Sequence, residues 1–186
     1  MTSLGDAIRT DYSRIQPGRK YSVLRALDAT TTNPGMLATL IYRLQCLLFD
    51  RGYRRLAGLA RVANNSLTGA DILPGSSIGA GLLLPHPNGV VIGHGVRIGS
   101  SCTILQGVTI GEKFADGRAP HDYPQIGNGV VIGAGAILLG NLAVGDGASI
   151  AANAVVLSDV PANSVVAGSP ARIIRTLTSP DFRYEA

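Results

Sequence analysis

At 186 residues with 46% hydrophobic side chains, the chain is long and apolar enough for one folded domain with a small appendage, which excludes an intrinsically disordered protein. The net charge of +4 is concentrated in residues 1–66, which hold 10 Lys and Arg against 4 Asp and Glu, but these cations are spread along predicted helices, which argues against a nucleic-acid-binding patch. Two cysteines are too few for a disulfide framework, and neither an export signal nor an apolar run of about 20 residues is present, so we expect a cytoplasmic protein without a membrane span.

Residues 1–66 are predicted to be helical. Ser3 with Asp6 is the predicted cap of a first helix, and Asn33 followed by Pro34 predicts the start of a longer one. That longer helix has an apolar face made of Leu37, Leu40, Ile41, Leu44, Leu47 and Leu48. A further helix is predicted in YRRLAGLARVAN. We expect these helices to cover the open end of the repeat that follows or to mediate oligomerisation.

From residue 72 onward an aliphatic residue returns at every sixth position, with two interruptions. The positions are Ile72, Ile78, Leu84, Ile92, Ile98, Ile104, Ile110, Ile126, Ile132, Leu138, Val144, Ile150 and Val156, and glycine often follows. A period of six fits neither a helix nor an alternating strand. It predicts short parallel strands joined by corners, three to a coil, with the aliphatic residues pointing inward. We expect this β domain to span residues 67–175, followed by a tail at 176–186.

The two interruptions predict loops that leave the regular coil. Eight residues in place of six separate Leu84 from Ile92 and contain His86, whose neighbours Pro85 and Pro87 restrict its backbone. Sixteen residues separate Ile110 from Ile126, and this longer loop contains His121. Loops on a rigid scaffold are common places for functional residues, although a tolerated surface insertion also explains the longer one.

The stretches ILPGSSIGAGLLLPHPNGVVIG, ILQGVTIGEK, YPQIGNGVVIGAGAILLGN and VVAGSPARII resemble the serine O-acetyltransferase group of hexapeptide-repeat acyltransferases and related enzymes that acetylate sugars and polysaccharides. The resemblance covers residues 67–175 well and extends more weakly to about residue 35. It implies a mainly β fold, a left-handed parallel β-helix with an N-terminal α-helical region. It also implies a homotrimer, or a dimer of trimers, that binds acetyl-CoA between two subunits and transfers acetyl to the hydroxyl of a small-molecule acceptor.

Such a transfer needs a base, because an alcohol is a poor nucleophile at neutral pH. His86 holds the place of the family's catalytic histidine; the alternative is a corner histidine hydrogen-bonded to backbone. The family's second catalytic histidine precedes the proline of YPQIG, where this chain has Tyr123. Either Tyr123 binds the acceptor, or His121 takes the catalytic role, or neither contributes. His94 is expected to face solvent.

The resemblance also implies residues for the acetyl-CoA donor. Gly111, Ala134 and Ala152 are expected to offer backbone contacts to the pantetheine arm, where small side chains allow a close approach. Lys113, Arg172 and Arg175 are the basic residues expected to meet the phosphates of CoA. An ordinary surface charge is the alternative for Arg172 and, more strongly, for Arg175.

The acceptor is less clearly indicated. Serine-specific members carry an Asp before the first histidine and another in the helical region, whereas this chain has Pro85 and Gln16 at the nearest positions. A bound ammonium would lose charge-assisted hydrogen bonds worth about 1.5–3 kcal/mol each. We therefore expect a sugar-like hydroxyl, with serine O-acetylation in cysteine biosynthesis as the alternative.

The sequence favours two other classes of function less. A non-catalytic β-helix scaffold is the second alternative, against which the PHP loop and the PAR segment argue. A metal enzyme would need convergent ligands, and the three histidines include no close pair, so no metal is expected.

Overall fold

The computed structural model describes residues 3–113 and 122–176. Four helices come first: α1 Leu4–Ile15, α2 Val23–Thr32, α3 Pro34–Asp50 and α4 Arg54–Thr68. The predicted caps are present, since the Ser3 hydroxyl accepts from the Asp6 amide and the Asn33 side chain accepts from the Met36 amide. The helix α2 lies in the region predicted to be helical but was not predicted as a separate helix; Ser22 caps its start. Within the described residues no helix is both long and apolar enough to cross a membrane.

Short strands follow, most of them two residues long. In the described part of the chain they are β1 Asp71–Ile72, β2 Ser77–Ile78, β3 Val91–Ile92, β4 Arg97–Ile98, β5 Thr103–Ile104, β6 Thr109–Gly111, β7 Gln125–Ile126, β8 Val131–Ile132, β9 Ile137–Leu139, β10 Ala143–Val144, β11 Ser149–Ile150, β12 Val155–Val156, β13 Ser164–Ala167 and β14 Arg172–Thr176. They form three sheets that the chain visits in turn.

The three sheets are parallel, apart from β14, which runs antiparallel to β13. Sheet 1 contains β1, β3, β6, β9 and β12; sheet 2 contains β2, β4, β7 and β10; sheet 3 contains β5, β8, β11, β13 and β14. Ile92 pairs with Ile110, eighteen residues further on, which is one turn of three six-residue units. This pairing confirms the coil of three short strands per turn that the period predicts.

The coil surrounds one core. The aliphatic residues of the six-residue period are all buried and belong to a single hydrophobic cluster, to which all three sheets contribute. Burying each such side chain contributes about 1.5–3 kcal/mol relative to leaving it exposed. Glycine recurs in the repeat for a separate reason, which is the close approach of neighbouring coils. A β-carbon on Gly99 would lie 2.7 Å from the carbonyl carbon of Gly127, so a larger residue there would push the coils apart.

The helices close the N-terminal end of the coil, where the first turn has no turn beneath it to pair with. The Tyr42 hydroxyl donates to the Ser76 carbonyl at 3.2 Å and accepts from the Ile78 amide at 3.1 Å. The Gln45 side-chain amide donates to the carbonyl of Ile72 at 2.9 Å. Side chains of α3 thus replace the missing backbone partners.

A buried ion pair also supplies hydrogen-bond partners to the first turn of the coil. The Asp11 carboxylate, fully buried, accepts from the amides of residues 81 and 82 at 2.7 and 2.9 Å and from two nitrogens of Arg43 at 2.9 and 3.0 Å. Arg43 in turn donates to the carbonyls of residues 78 and 79 at 2.6 and 2.7 Å. Arg14 adds bonds to the Gly81 and Cys102 carbonyls, and burial lowers the pKa of its guanidinium. The pair therefore joins α1, α3 and the first turn of the coil.

Asp11→Ala should destabilise the protein by about 3–5 kcal/mol, because it leaves Arg43 buried without a counter-charge and two buried amides unpaired. The measurement is urea unfolding followed by circular dichroism. Asp28, exposed on α2, is the matched control, and Asp28→Ala should change stability by less than about 0.5 kcal/mol. Equal unfolding midpoints for the two variants would contradict this description of the ion pair.

Candidate active site

His86 lies at the corner where the chain passes from Leu84 to β3. We call this the 3–1 edge, because later turns pass there from sheet 3 to sheet 1 at residues 105–108, 133–136 and 151–154. Pro87 is buried and Pro85 half-buried, while the His86 side chain is exposed. In residues 3–113 and 122–176, no group is hydrogen-bonded to its imidazole. The ring therefore stands at a stiffened corner, accessible to a ligand.

The corners along the 3–1 edge are stacked by backbone hydrogen bonds. The amides of residues 107, 135 and 153 donate to the carbonyls of Asn88, Gln106 and Ala134 at 3.0, 2.8 and 2.8 Å. Ala134 is half-buried and Ala152 exposed, and both present only a methyl group. The corner next to His86 carries the longer side chain of Gln106, and the two corners beyond it present the small side chains of Ala134 and Ala152.

Arg172 lies near the far end of this edge. It begins β14, directly after residues 168–171, and the amide of Ala171 donates to the Val155 carbonyl at 2.8 Å. Its side chain is exposed and donates to the carbonyl of Ala171 at 2.8 Å. The structure therefore places four of the predicted site residues, His86, Ala134, Ala152 and Arg172, on one edge.

The other predicted residues lie on a different edge. Gly111, Lys113 and Tyr123 are found where the chain passes from sheet 1 to sheet 2, which we call the 1–2 edge. His121 lies outside the described residues. The loop base is narrow, because a β-carbon on Gly140 would lie 3.5 Å from the β-carbon of Lys113 and 3.4 Å from a carboxylate oxygen of Asp122. Within one chain, the two groups of predicted residues do not share an edge.

Tyr123 has a packing role that the sequence did not reveal. Its ring covers Gly95, so that a β-carbon there would lie 2.7 Å from the ring carbon Cγ, and it packs against the main core. The side chain is half-buried. The ring is therefore held in place, whatever its hydroxyl contacts.

His94 also lies on the 1–2 edge and is exposed, as expected. One of its ring nitrogens contacts the Pro74 carbonyl oxygen, and the ring meets Phe49 edge to face with centroids 6.1 Å apart. His94 and His86 are thus on different edges. The described part of the chain contains no group of three His, Cys, Asp or Glu side chains that could hold a metal ion.

The two thiols are unsuited to nucleophilic chemistry. Cys102 is buried, with its sulfur 3.2 Å from the Gly127 carbonyl oxygen, and burial raises the pKa of the thiol to about 11. Burial also raises the pKa of Cys46. Both remain protonated at neutral pH, so a cysteine thiolate mechanism is disfavoured.

Sequence reasoning missed one ion pair beside this region. Arg61 of α4 binds both carboxylate oxygens of Asp71 in β1, at 2.6 and 2.7 Å, and these bonds raise the pKa of the guanidinium. Asp71 begins a strand in sheet 1, next to the 3–1 edge. The ten-residue spacing of the two charges spans a helix end and a turn, so no local pattern indicates the pair.

Comparisons with known proteins agree with this architecture. The family described as "Bacterial transferase hexapeptide (six repeats)" matches residues 123–158. A serine acetyltransferase of Helicobacter pylori strain 26695 is 47% identical over 147 residues, which are 76% of this chain and 81% of the relative. The Arabidopsis thaliana protein "Serine acetyltransferase 2" is 42% identical over 79% of this chain, and the chain spans only 45% of that relative's length.

A solved structure extends the likeness to three dimensions. The serine acetyltransferase of Brucella abortus strain S19 in complex with coenzyme A aligns with a TM-score of 0.83 and 35% identity, over 93% of this chain and 68% of that one. The expected membership of the sugar and polysaccharide branch is not supported, since these relatives are named serine acetyltransferases. On this identity, over four fifths of the Helicobacter protein, the chain belongs to the serine acetyltransferase family of hexapeptide-repeat transferases.

Proposed function

We propose that the protein is an acetyl-CoA-dependent serine O-acetyltransferase with His86 as general base. The observation that carries the proposal is the exposed imidazole of His86 on the same 3–1 edge as the small side chains of Ala134 and Ala152. Acetyl-CoA as donor and serine as acceptor are supported by the relatives, which are named serine acetyltransferases and one of which was solved with coenzyme A. The coil is inferred to be left-handed, as in that family.

In the proposed reaction the imidazole of His86 takes the proton of the serine hydroxyl as its oxygen attacks the thioester carbonyl. The new bond joins the serine oxygen to the acetyl carbon, and the bond between that carbon and sulfur breaks. The proton then passes from the imidazolium to the CoA sulfur. Proline on each side of His86 reduces the motion that would otherwise misplace the base.

The donor is proposed to lie along the 3–1 edge. Ala134 and Ala152 leave room for the pantetheine arm to approach the backbone, and the exposed guanidinium of Arg172 is available to the phosphates. Gly111 and Lys113 lie on the 1–2 edge of the same chain. They can meet the same donor only from a second copy, so we propose a site shared between two subunits of a homotrimer or of a dimer of trimers.

Serine replaces the sugar-like acceptor as the proposal. The earlier preference rested on Pro85 and Gln16, which stand where serine-specific members carry Asp. Asp11 of α1 cannot take over, since its carboxylate is buried and already bound by Arg43 and two amides. The missing carboxylates are therefore proposed to weaken serine binding, which raises KM without changing the identity of the acceptor.

His86→Ala should lower kcat for acetyl transfer by about 10² to 10⁴, the usual contribution of a general base. Ser100→Ala is the control, because Ser100 is exposed between sheet 2 and sheet 3, on neither of the two edges that form the proposed site, and kcat should stay at the wild-type value. The measurement is release of the CoA thiol from acetyl-CoA in the presence of serine. A His86→Ala variant with the kcat of the wild type would contradict the assignment.

Thiol release with a panel of serine, homoserine and glucose identifies the acceptor. We expect the highest kcat/KM with serine. The control for each acceptor is the reaction without it, which gives the background hydrolysis of acetyl-CoA. A higher kcat/KM with glucose than with serine would indicate a sugar acceptor. If no acceptor is turned over and calorimetry detects no CoA binding, the scaffold alternative is favoured.

Tyr123→Phe tests whether the hydroxyl of Tyr123 contacts the acceptor. The phenylalanine ring can still cover Gly95, so the urea unfolding midpoint should not change. If the hydroxyl binds serine, KM for serine rises several-fold, in keeping with a lost hydrogen bond of about 1 kcal/mol, while KM for acetyl-CoA stays constant. An unchanged KM for serine would remove Tyr123 from the site, and His121→Ala would then show whether His121 contributes.

A further inference from the structure

The corner that carries His86 is touched from below by the start of α3. Gly35 is buried in the first turn of this helix, next to the cap formed by Asn33. A β-carbon on Gly35 would overlap the carbonyl oxygen of Leu84 and lie 3.0 Å from its carbonyl carbon. Leu84 is two residues before His86. Because the contact is with backbone atoms, no side-chain rotation could remove the overlap that a larger residue at Gly35 would create.

The other end of the same corner is touched by the end of α4. Gly69 terminates this helix with φ of +76°, a conformation that favours glycine. Its carbonyl accepts from the amide of Gly89 at 2.9 Å. A β-carbon on Gly69 would lie 3.1 Å from Cα and 3.2 Å from Cγ of Asn88. Asn88 is two residues after His86.

The His86 corner differs from later corners on the 3–1 edge in what lies on either side of it. The corner at residues 105–108 hydrogen-bonds to a coil on both sides, through the amides of Gly107 and Gly135. The His86 corner is two residues longer and has a coil on one side only. On its other side it meets two helix ends, which contact the residues before and after the histidine.

We propose that Gly35 and Gly69 are positioning residues for His86, which hold the corner between the start of α3 and the end of α4. The N-terminal helices then do more than close the coil, since they set the place of the base relative to a substrate on the 3–1 edge. The inference about rate rests on the proposed function; the inference about geometry does not.

The experiment compares two helical glycines. Gly35→Ala forces the start of α3 away from Leu84, whereas Gly58→Ala in α4 adds a β-carbon with nothing within 4 Å. Helix propensity alone would make both changes stabilising. The first readout is the NMR signal of the His86 ring Cε1–H, identified by its loss in His86→Ala among the three histidines of the chain. The second is kcat for thiol release, with KM for acetyl-CoA.

We expect Gly35→Ala to shift the His86 signal and to lower kcat by about 10-fold or more, since a misplacement of about 1 Å can cost 10²-fold. KM for acetyl-CoA should stay within about two-fold, because the pantetheine contacts lie on later coils. Gly58→Ala should leave the signal, kcat and KM at wild-type values. A structural role without positioning would lower the unfolding midpoint and leave the signal of the folded protein unchanged.

A second pair of variants covers the case in which Gly35→Ala does not fold. Asn33→Ala removes the cap of α3, a bond of 2.9 Å to the Met36 amide, and adds no bulk. Ser22→Ala removes the matching cap of α2, a bond of 3.2 Å to the Arg25 amide, which no described contact links to the His86 corner. The first should shift the His86 signal and lower kcat; the second should do neither.

The outcomes separate the two proposals. An unchanged His86 signal in both Gly35→Ala and Asn33→Ala would overturn the positioning role. A shifted signal with unchanged kcat would support the contact and overturn the effect of the corner on rate, whereas an unchanged kcat in His86→Ala would overturn His86 as the base. A shifted signal with lowered kcat, absent from Gly58→Ala and Ser22→Ala, supports both.

Discussion

The architecture depends on how the first turn of the coil is closed. The interior turns satisfy their backbone groups by pairing with turns on both sides, but the first turn has none below it. A buried amide or carbonyl left without a partner costs about 1–3 kcal/mol, and several face this end. Tyr42, Gln45 and the Asp11–Arg43 pair supply the missing partners from α1 and α3. These contacts join the helical segment to the first turn of the coil.

The proposed chemistry is found where the regular repeat is broken. A perfect coil would present the same small corner at each turn, which suits the elongated arm of a thioester cofactor but provides no base. The break at residues 85–89 adds an imidazole beside the helical cap, and the break after Gly111 adds a loop on another edge. Because the two breaks are on different edges, a complete site is proposed to form only between copies of the chain.

The period of six predicted the coil because it reports on one dominant constraint, the burial of one aliphatic residue per strand. Each predicted inward residue, from Ile72 to Val156, is buried. The pattern also predicts the edge on which each site residue lies. Counting six-residue units from Ile72 assigns His86 and Gly111 to different corners of the coil. The six-residue pattern does not predict that the His86 side chain is exposed.

What sequence patterns could not predict depends on contacts between distant residues. Asp11 and Arg43 are 32 residues apart on two helices, and each one alone looks like a solvated helix charge. The contact of Gly35 with Leu84 is likewise invisible to helix propensity, which counts that glycine as a weakness. The preference for a sugar-like acceptor is not supported by the relatives, which are named serine acetyltransferases. Two absent carboxylates were taken to indicate another substrate, although their absence indicates weaker binding of serine just as well.

Amide hydrogen exchange tests the closure of the first turn most directly. If side chains of α1 and α3 truly replace a missing coil, the amides of Ile78, Gly81 and Leu82 should exchange only through global unfolding, with the same free energy as the amide of Ile104 in the interior. Exchange of these three amides at rates near those of an unfolded chain, with Ile104 still protected, would contradict the account.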